Sequence, residues 1–169
     1  MNTPLVLMDK QRISRSIKRM AYEIIEKNAS NRPVVLFGID QRGYAVAKLL
    51  DKILANISDK EVQTVQLSLT SDVTEETLDT WSSRDGDTKF MIVVDDVIFS
   101  GKTMFRALQE IADKLAPSEI HTAVMIDRGH RQFPIRAEFY GMELPTKVNE
   151  HVAVVVNEMH VEEVILEKR

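Results

Sequence analysis

The stretch VVDDVIFSGKTM, from Val93 to Met104, decides the fold and the chemistry of this chain. A run of apolar residues ends in two adjacent carboxylates, Asp95 and Asp96, and a Ser-Gly-Lys-Thr corner then opens a helical pattern. Such a corner suits an anion, because the first amides of a helix have no intrahelical partner and the helix dipole favours negative charge. The carboxylates would repel a bare phosphate, but they accept hydrogen bonds from hydroxyl groups. The stretch therefore predicts a phosphorylated sugar as ligand.

Two other interpretations of this stretch are weaker. Gly101-Lys102-Thr103 matches the end of the nucleotide-binding pattern GxxxxGK[ST], but the first glycine of that pattern would fall on Asp96. An aspartate lacks the backbone freedom of glycine and brings negative charge close to the phosphates. The simpler alternative is a strand end with solvated acids, followed by an ordinary capped helix.

Apolar strands alternate with amphipathic helices along most of the chain. Asp9 is predicted to cap a helix from Lys10 to about Asn28, whose apolar residues follow helical spacing. The other predicted elements are, in chain order, strand VVLFGI, loop DQRG and a helix, strand VQTVQLSL, strand FMIVV, a helix from Thr103 to Ala116, strand EIHTAVMID, and short strands AEFYG, HVAVVV and VEEVILEK. Continuously apolar strands between helices predict a Rossmann-like α/β fold, in which a parallel sheet is flanked by helices on both faces.

Length and composition set the broad class. The 169 residues fit a single domain, and a net charge of −4 argues against a general nucleic-acid binder. The chain has no cysteine, which excludes disulfides and thiolate metal sites and fits a reducing compartment. No apolar stretch is long enough to span a bilayer, so we expect a cytoplasmic protein with no membrane partner.

Three polar loops follow predicted strands: DQRG, DDVIFSGKT and DRGHR. Ligands of open parallel sheets bind at the carboxyl ends of the strands, so these loops predict the site. DQRG by itself also fits a plain turn with a surface arginine. The four histidines lack metal-ligand spacing, and His130 is predicted to be a hydrogen-bonded structural residue.

The central stretch resembles the phosphoribosyl-pyrophosphate motif of type I phosphoribosyltransferases. Further segments resemble the bifunctional pyrimidine-operon attenuator and uracil phosphoribosyltransferase family. They are MAYEIIEKN in the first helix, GIDQRGYAVAKLL (Gly38 to Leu50) and IDRGHRQFPIRAEFYGMELPT (Ile126 to Thr146). The similarity covers most of the chain and implies the type I phosphoribosyltransferase fold, with one domain over residues 1–169 and a small hood built from the N-terminal and C-terminal segments.

The resemblance implies a pentosyl transferase. Such an enzyme moves ribose 5-phosphate from phosphoribosyl pyrophosphate to a base nitrogen, here most specifically to uracil, and the products are UMP and pyrophosphate. It also implies a homodimer and Mg²⁺, which would lie between pyrophosphate and ribose oxygens and contact Asp95 and Asp96 only indirectly.

The same resemblance assigns site residues. Catalysis is expected of Asp95, Asp96 and Arg42. The 5-phosphate is expected at Val97, Ile98, Phe99, Ser100, Gly101, Lys102 and Thr103. The pyrophosphate is expected at Gln41, Arg42 and Gly43, in a loop that the family often strains with a non-proline cis peptide. The base and hood are expected at Asp127, Arg128, Arg131, Met142 and the backbone near Val152. Asp127 is also a second candidate for the Mg²⁺ contact, and it fits equally well as a loop acid that accepts backbone hydrogen bonds.

The chain departs from the family in its flexible loop. The corresponding segment, about residues 70–88, is shorter and lacks the family's Tyr-Arg-Asp-Asp type sequence. We expect a mobile excursion there, with at most one helical turn. A weakened lid leaves open a nucleotide sensor that binds UMP or phosphoribosyl pyrophosphate without catalysis.

A second alternative is UMP-responsive binding to a messenger RNA leader, which the family resemblance also implies. Basic residues support it: Arg12, Arg15, Lys18, Arg19, Arg131, Arg136 and Lys147. Two departures weaken it, because Tyr22 stands where relatives commonly have histidine and Thr146-Lys147-Val148 replaces a more serine-rich stretch. A solvated helix face is the simpler interpretation of the basic residues.

Overall fold

The structure is a computed structural model that describes residues 3–69 and 78–168. In this part of the chain a five-stranded parallel sheet has the order β3-β2-β4-β5-β6. Its strands are β2 (Val34–Ile39), β3 (Val62–Leu67), β4 (Phe90–Ile98), β5 (His121–Asp127) and β6 (Phe139–Glu143). The helices are α1 (Lys10–Lys27), α2 (Asp40–Ile57), α3 (Ser83–Thr88) and α4 (Lys102–Leu115). The predicted parallel α/β architecture is confirmed.

A smaller antiparallel sheet joins the two ends of the chain. Its strands are β1 (Leu5–Met8), β7 (Glu150–Asn157) and β8 (His160–Lys168), in the order β1-β8-β7. These are the segments from which we expected a hood. Strand β1 was not predicted, because four residues are too few to show a period.

The sheet is covered on both faces, as the continuously apolar strands predict. Ile92 and Val94 of β4 pack into one core cluster with α1 and α2, whereas Met91 and Val93 pack into a second cluster with α4. Successive residues of a strand point to opposite faces, so β4 serves both cores. Asp9 caps α1 as predicted, since its side chain accepts a hydrogen bond from Arg12 N at 2.8 Å.

Helix α2 begins earlier than the sequence indicates. We expected DQRG to be a loop, but the helix starts at Asp40 directly after β2. No peptide bond in the described ranges is cis, contrary to the expectation for this loop, and Asp40 instead has a φ of +49°. The turn is tight because Gly43 is buried against β4, where a Cβ atom would lie 2.6 Å from Val94 O.

Other boundaries also shift. Strand β4 continues through Asp95 and Asp96 to Ile98, and α4 runs from Lys102 to Leu115 rather than from Thr103 to Ala116. Of the segment expected to be a mobile loop, residues 70–77 lie outside the described residues. The rest contains the expected helical turn as α3, and Leu78 is buried, which ties this part to the second core. Among the described helices, none combines the length and the apolar character needed to cross a membrane.

The close packing at Gly43 gives a stability prediction. Gly43→Ala places a methyl group against the β4 backbone, which cannot move without disturbing the sheet. We expect the free energy of unfolding to fall by about 1–3 kcal/mol, as for other overpacked sites. Urea unfolding measures it, with Lys52→Ala, an exposed change in the same helix, as control. If Gly43→Ala and Lys52→Ala are equally stable, the close approach of Gly43 to the β4 backbone is contradicted.

Candidate active site

Three loops meet at one edge of the parallel sheet. Strands β2, β4 and β5 are adjacent and parallel, so their carboxyl ends lie side by side. The residues that follow them are the start of α2, the corner before α4 and the segment after Asp127. The predicted gathering of DQRG, DDVIFSGKT and DRGHR is therefore present.

The corner before α4 exposes backbone amides. Gly101 is the N-cap residue with a φ of +84°, a left-handed conformation that glycine adopts without strain, and no side chain caps this helix. The first intrahelical bond runs from Phe105 N to Gly101 O at 2.9 Å. The preceding amides therefore have no intrahelical acceptor, and only Lys102 N finds one nearby, at 3.3 Å from Ser100 Oγ.

The carbonyl groups of the same corner are fully used. Ile98 O accepts from Arg128 N at 3.0 Å, and Ser100 O accepts from the amides of Gln132 and Phe133 at 2.9 Å each. Phe99 O accepts from Arg131 Nη1 at 2.9 Å. Within the described ranges the amides of Ser100 and Gly101 have no hydrogen-bond partner. Donors alone remain available, as an anion site requires.

The two acids lie just before this corner but differ in environment. Asp95 is 8% exposed, whereas Asp96 is half-buried, and alternation along β4 directs them to opposite faces. Asp95 Oδ1 accepts from Asp96 N at 2.8 Å. Burial raises the pKa of Asp95 well above its ordinary value, and the charges of Asp96 and Asp40 add to the effect. Burial thus disfavours the charged form of Asp95 relative to that of an exposed aspartate.

The start of α2 presents Gln41 and Arg42 to solvent. Arg42 forms no hydrogen bond or ion pair with any described residue, so its guanidinium is free to bind an anion. Gly43 is buried and serves the approach of the helix to β4.

Asp40 was missed by sequence reasoning. Its Oδ1 accepts from Leu69 N at 3.1 Å, and its charge reaches Asp95. Its place as the first residue after β2 is the signal that could have identified it.

The arginines after β5 are held by protein atoms. Arg128 is buried and donates to Thr146 Oγ1 at 2.9 Å and to Glu150 O at 2.6 Å. Arg131 donates to Asp127 Oδ1 at 2.8 Å and to backbone carbonyls, including that of Phe99. Several of their donors already have acceptors in the chain, whereas Arg128 Nη1 has none among the described residues. Contact of either arginine with the base or pyrophosphate therefore stays a prediction.

The remaining predicted residues are Asp127, His130, Met142 and Val152. Asp127 accepts from Gly129 N at 2.9 Å, which matches the alternative of a loop acid bonded to backbone. His130 Nε2 donates to Thr146 O, so it is a structural histidine as predicted. Met142 is partly buried against the first core cluster, and the Val152 side chain lies within that cluster, which leaves only the Val152 backbone for a ligand.

Comparisons with known proteins agree with this geometry. The model of the phosphoribosyl transferase domain matches residues 7–160. A "Bifunctional protein PyrR" from Clostridium novyi is 36% identical over 168 residues, covering 95% of this chain and 94% of the relative. One from Bacillus pumilus is 37% identical over 169 residues, covering 94% of each. The chain therefore belongs to the phosphoribosyl transferase family, and the expected enzyme class, a pentosyl transferase, is confirmed. The PyrR relatives also confirm the resemblance to the bifunctional group within it.

Solved structures support the fold. A hypoxanthine-guanine phosphoribosyltransferase from Bacillus anthracis aligns with a TM-score of 0.71 at 18% identity, covering 98% of both chains. A hypoxanthine phosphoribosyltransferase from Trypanosoma cruzi, in complex with the product IMP, aligns with a TM-score of 0.71 at 13% identity, covering 96% of this chain and 89% of the other. At these identities the likeness concerns the fold alone.

The environment of Asp95 predicts a pH-dependent stability difference. Because its pKa is raised in the folded state, the folded protein binds more protons than the unfolded chain between the two pKa values, and its stability falls as the pH rises through that window. Asp95→Asn removes the titrating group, so the variant does not lose this stability as the pH rises. We expect the variant to be more stable than wild type by a margin that grows with pH, by up to about 1.4 kcal/mol per unit within the window.

Urea unfolding of wild type and Asp95→Asn at a series of pH values measures this margin. Asp113→Asn, which changes an exposed acid of α4, is the control. A margin for Asp95→Asn that stays constant or shrinks as the pH rises would refute the raised pKa.

Proposed function

We propose that this protein transfers ribose 5-phosphate from phosphoribosyl pyrophosphate to uracil and forms UMP and pyrophosphate. In this reaction the bond from ribose C1 to pyrophosphate oxygen breaks, a bond from C1 to uracil nitrogen forms, and that nitrogen loses its proton. The observation that carries the proposal is the corner from Asp95 to Thr103, where carboxylates adjoin an uncapped helix start with free amides.

The 5-phosphate would bind at the start of α4. Free amides of Ser100 and Gly101, the first-turn amides and the exposed side chains of Lys102 and Thr103 are the available donors. The helix dipole adds to their attraction. Since the carbonyls of this corner are already bonded to the segment after β5, no acceptor faces the phosphate and the cup needs no rearrangement to bind it.

The ribose would lie against Asp95 and Asp96. A carboxylate accepts hydrogen bonds from ribose hydroxyls, and a protonated one also donates. Burial raises the pKa of Asp95, so its charged form is disfavoured where phosphate groups would flank it. Positive charge develops on the sugar as the C1 bond breaks, and Asp96, the more exposed of the pair, is placed to stabilise it.

The pyrophosphate would lie at the start of α2, where Arg42 has no partner in the described part of the chain and where the helix has no side-chain cap. In the described residues no cluster of three or more His, Cys, Asp or Glu side chains is arranged to hold a metal. Asp95 and Asp96 are the residues that would face a Mg²⁺ ion, which would be bound mainly by substrate oxygens and water and would neutralise pyrophosphate charge.

A homodimer, which the family resemblance implies, and the cytoplasmic location expected from the sequence are part of the same proposal.

A second candidate function is UMP-responsive binding of a messenger RNA leader. Arg15 and Lys18 are exposed on α1, and their side chains bind no described residue. The side chains of Arg136 and Lys147 are also exposed and bind no described residue, since only their backbone atoms form hydrogen bonds. The other cations are less available, since Arg19 donates to Tyr140 O and Gly141 O and Arg131 is occupied. The free pair on α1 favours this function, as phosphate contacts need exposed cations.

The transfer reaction can be tested directly. With phosphoribosyl pyrophosphate and Mg²⁺, we expect product from uracil in preference to hypoxanthine, guanine or orotate. Asp95→Asn combined with Asp96→Asn should lower turnover by at least about a hundredfold, because the groups that face the developing charge are lost. A radiometric assay measures both.

Asp113→Asn serves again as control and should keep wild-type turnover. A purine preferred over uracil would overturn the substrate assignment. Binding of UMP or phosphoribosyl pyrophosphate without product would replace the enzyme by a nucleotide sensor.

RNA binding is tested separately. We expect a uridine-rich leader RNA to bind more tightly with UMP present, to weaken with salt, and to lose affinity about tenfold in Arg15→Ala with Lys18→Ala. Filter binding at two salt concentrations measures this, and Lys52→Ala on α2 is the control. If UMP does not change the affinity for the RNA, the transfer reaction remains the one proposed function.

A further inference from the structure

Phe99 is an aromatic residue left open to solvent beside the phosphate corner. It is 39% exposed, whereas Phe37 and Phe90 are almost completely buried. It lies between β4 and Ser100, at the edge where the three loops meet. Single exposed apolar residues are common on protein surfaces, and Phe99 is singled out because it lies at the edge where the three loops meet.

The ring is held in place from behind. The Arg128 guanidinium carbon lies 4.4 Å from the centroid of the Phe99 ring, and the His130 ring is 5.3 Å away. Arg128 is itself fixed by Thr146 Oγ1 and Glu150 O, and the Phe99 carbonyl is fixed by Arg131. The exposed part of the ring is therefore a rigid flat surface backed by a cation.

Its location suits the base of a bound nucleotide. The 5-phosphate and the base are joined by a single ribose, and Phe99 directly precedes the amides that would hold the phosphate. Stacking on an aromatic side chain is a common way to bind a base, because every base has a π-face. The cation behind the ring draws electron density from it, so its free surface favours an electron-rich ring, such as a uracil that is losing its N–H proton.

We propose that the exposed face of Phe99 is the stacking platform for the base. This inference rests on the proposed function and deepens it, because it assigns the Phe99 side chain to the base rather than to the 5-phosphate. It makes Phe99 a specificity-determining residue for a planar base, while the Phe99 backbone stays part of the phosphate corner.

Calorimetric titration with UMP and with ribose 5-phosphate separates the base from the sugar phosphate. We expect Phe99→Ala to weaken UMP binding about tenfold or more and to leave ribose 5-phosphate binding unchanged. In the transfer assay, KM for uracil should rise and KM for phosphoribosyl pyrophosphate should stay constant. Retained ribose 5-phosphate binding also shows that the variant is folded.

Phe99→Trp provides a second readout. It keeps an aromatic platform, so UMP affinity should be retained and UMP should quench the new indole fluorescence, whereas ribose 5-phosphate should not. The natural Trp81, the one tryptophan of the chain, packs against Phe37 and gives the baseline. Tyr22→Ala, which removes another exposed aromatic side chain, should not change UMP affinity.

The outcomes distinguish the two proposals. If wild type binds UMP more tightly than ribose 5-phosphate and Phe99→Ala shows the same difference, the platform is overturned and the proposed function stands. If wild type binds neither compound, the proposed function fails together with this inference.

Discussion

The structure of the site depends on hydrogen bonds that the segment after β5 donates to the carbonyl groups of the β4–α4 corner. Amides of Arg128, Gln132 and Phe133 and the Arg131 guanidinium bond to the carbonyls of Ile98, Phe99 and Ser100. Polar backbone groups next to a buried sheet need hydrogen-bond partners. In this corner the chain supplies partners for the carbonyl groups, whereas the amides of Ser100 and Gly101 have none among the described residues. The donors without a partner, together with the start of α4, are suited to bind an anion.

The same segment connects the phosphate corner to the opposite side of the site. Arg128 stacks on Phe99 and donates to Thr146 Oγ1 in the loop before β7 and to Glu150 O at the start of β7, and His130 donates to the Thr146 carbonyl. Arg128 and Arg131, which resemble ligand-binding arginines in the sequence, are thus also bonded within the chain, and their part in ligand binding stays a prediction. The Arg128 guanidinium lies against the Phe99 ring, and Arg131 is paired with Asp127.

Asp95 and Asp96, the acids before the corner, can lie next to each other because their environments differ. Alternation along β4 places Asp95 in the interior and leaves Asp96 partly open, and burial raises the pKa of Asp95. The two aspartates therefore differ in how strongly the fold disfavours their charged forms. Asp40 belongs to the same group, because the early start of α2 brings it towards Asp95 and ties it to Leu69.

The sequence by itself determined the architecture and the location of the site. Continuously apolar strands, helical spacing in α1 and α4, the Asp9 cap and the Gly101 corner are local patterns, and each one restricts the backbone directly. The tertiary structure alone decided which polar groups remain available. The partners of Arg128 and Arg131, the burial of Asp95, the contact of Gly43 with β4 and the open face of Phe99 all arise between segments far apart in the chain. No local pattern encodes such contacts, because whether a donor is free depends on which distant acceptor the fold brings to it.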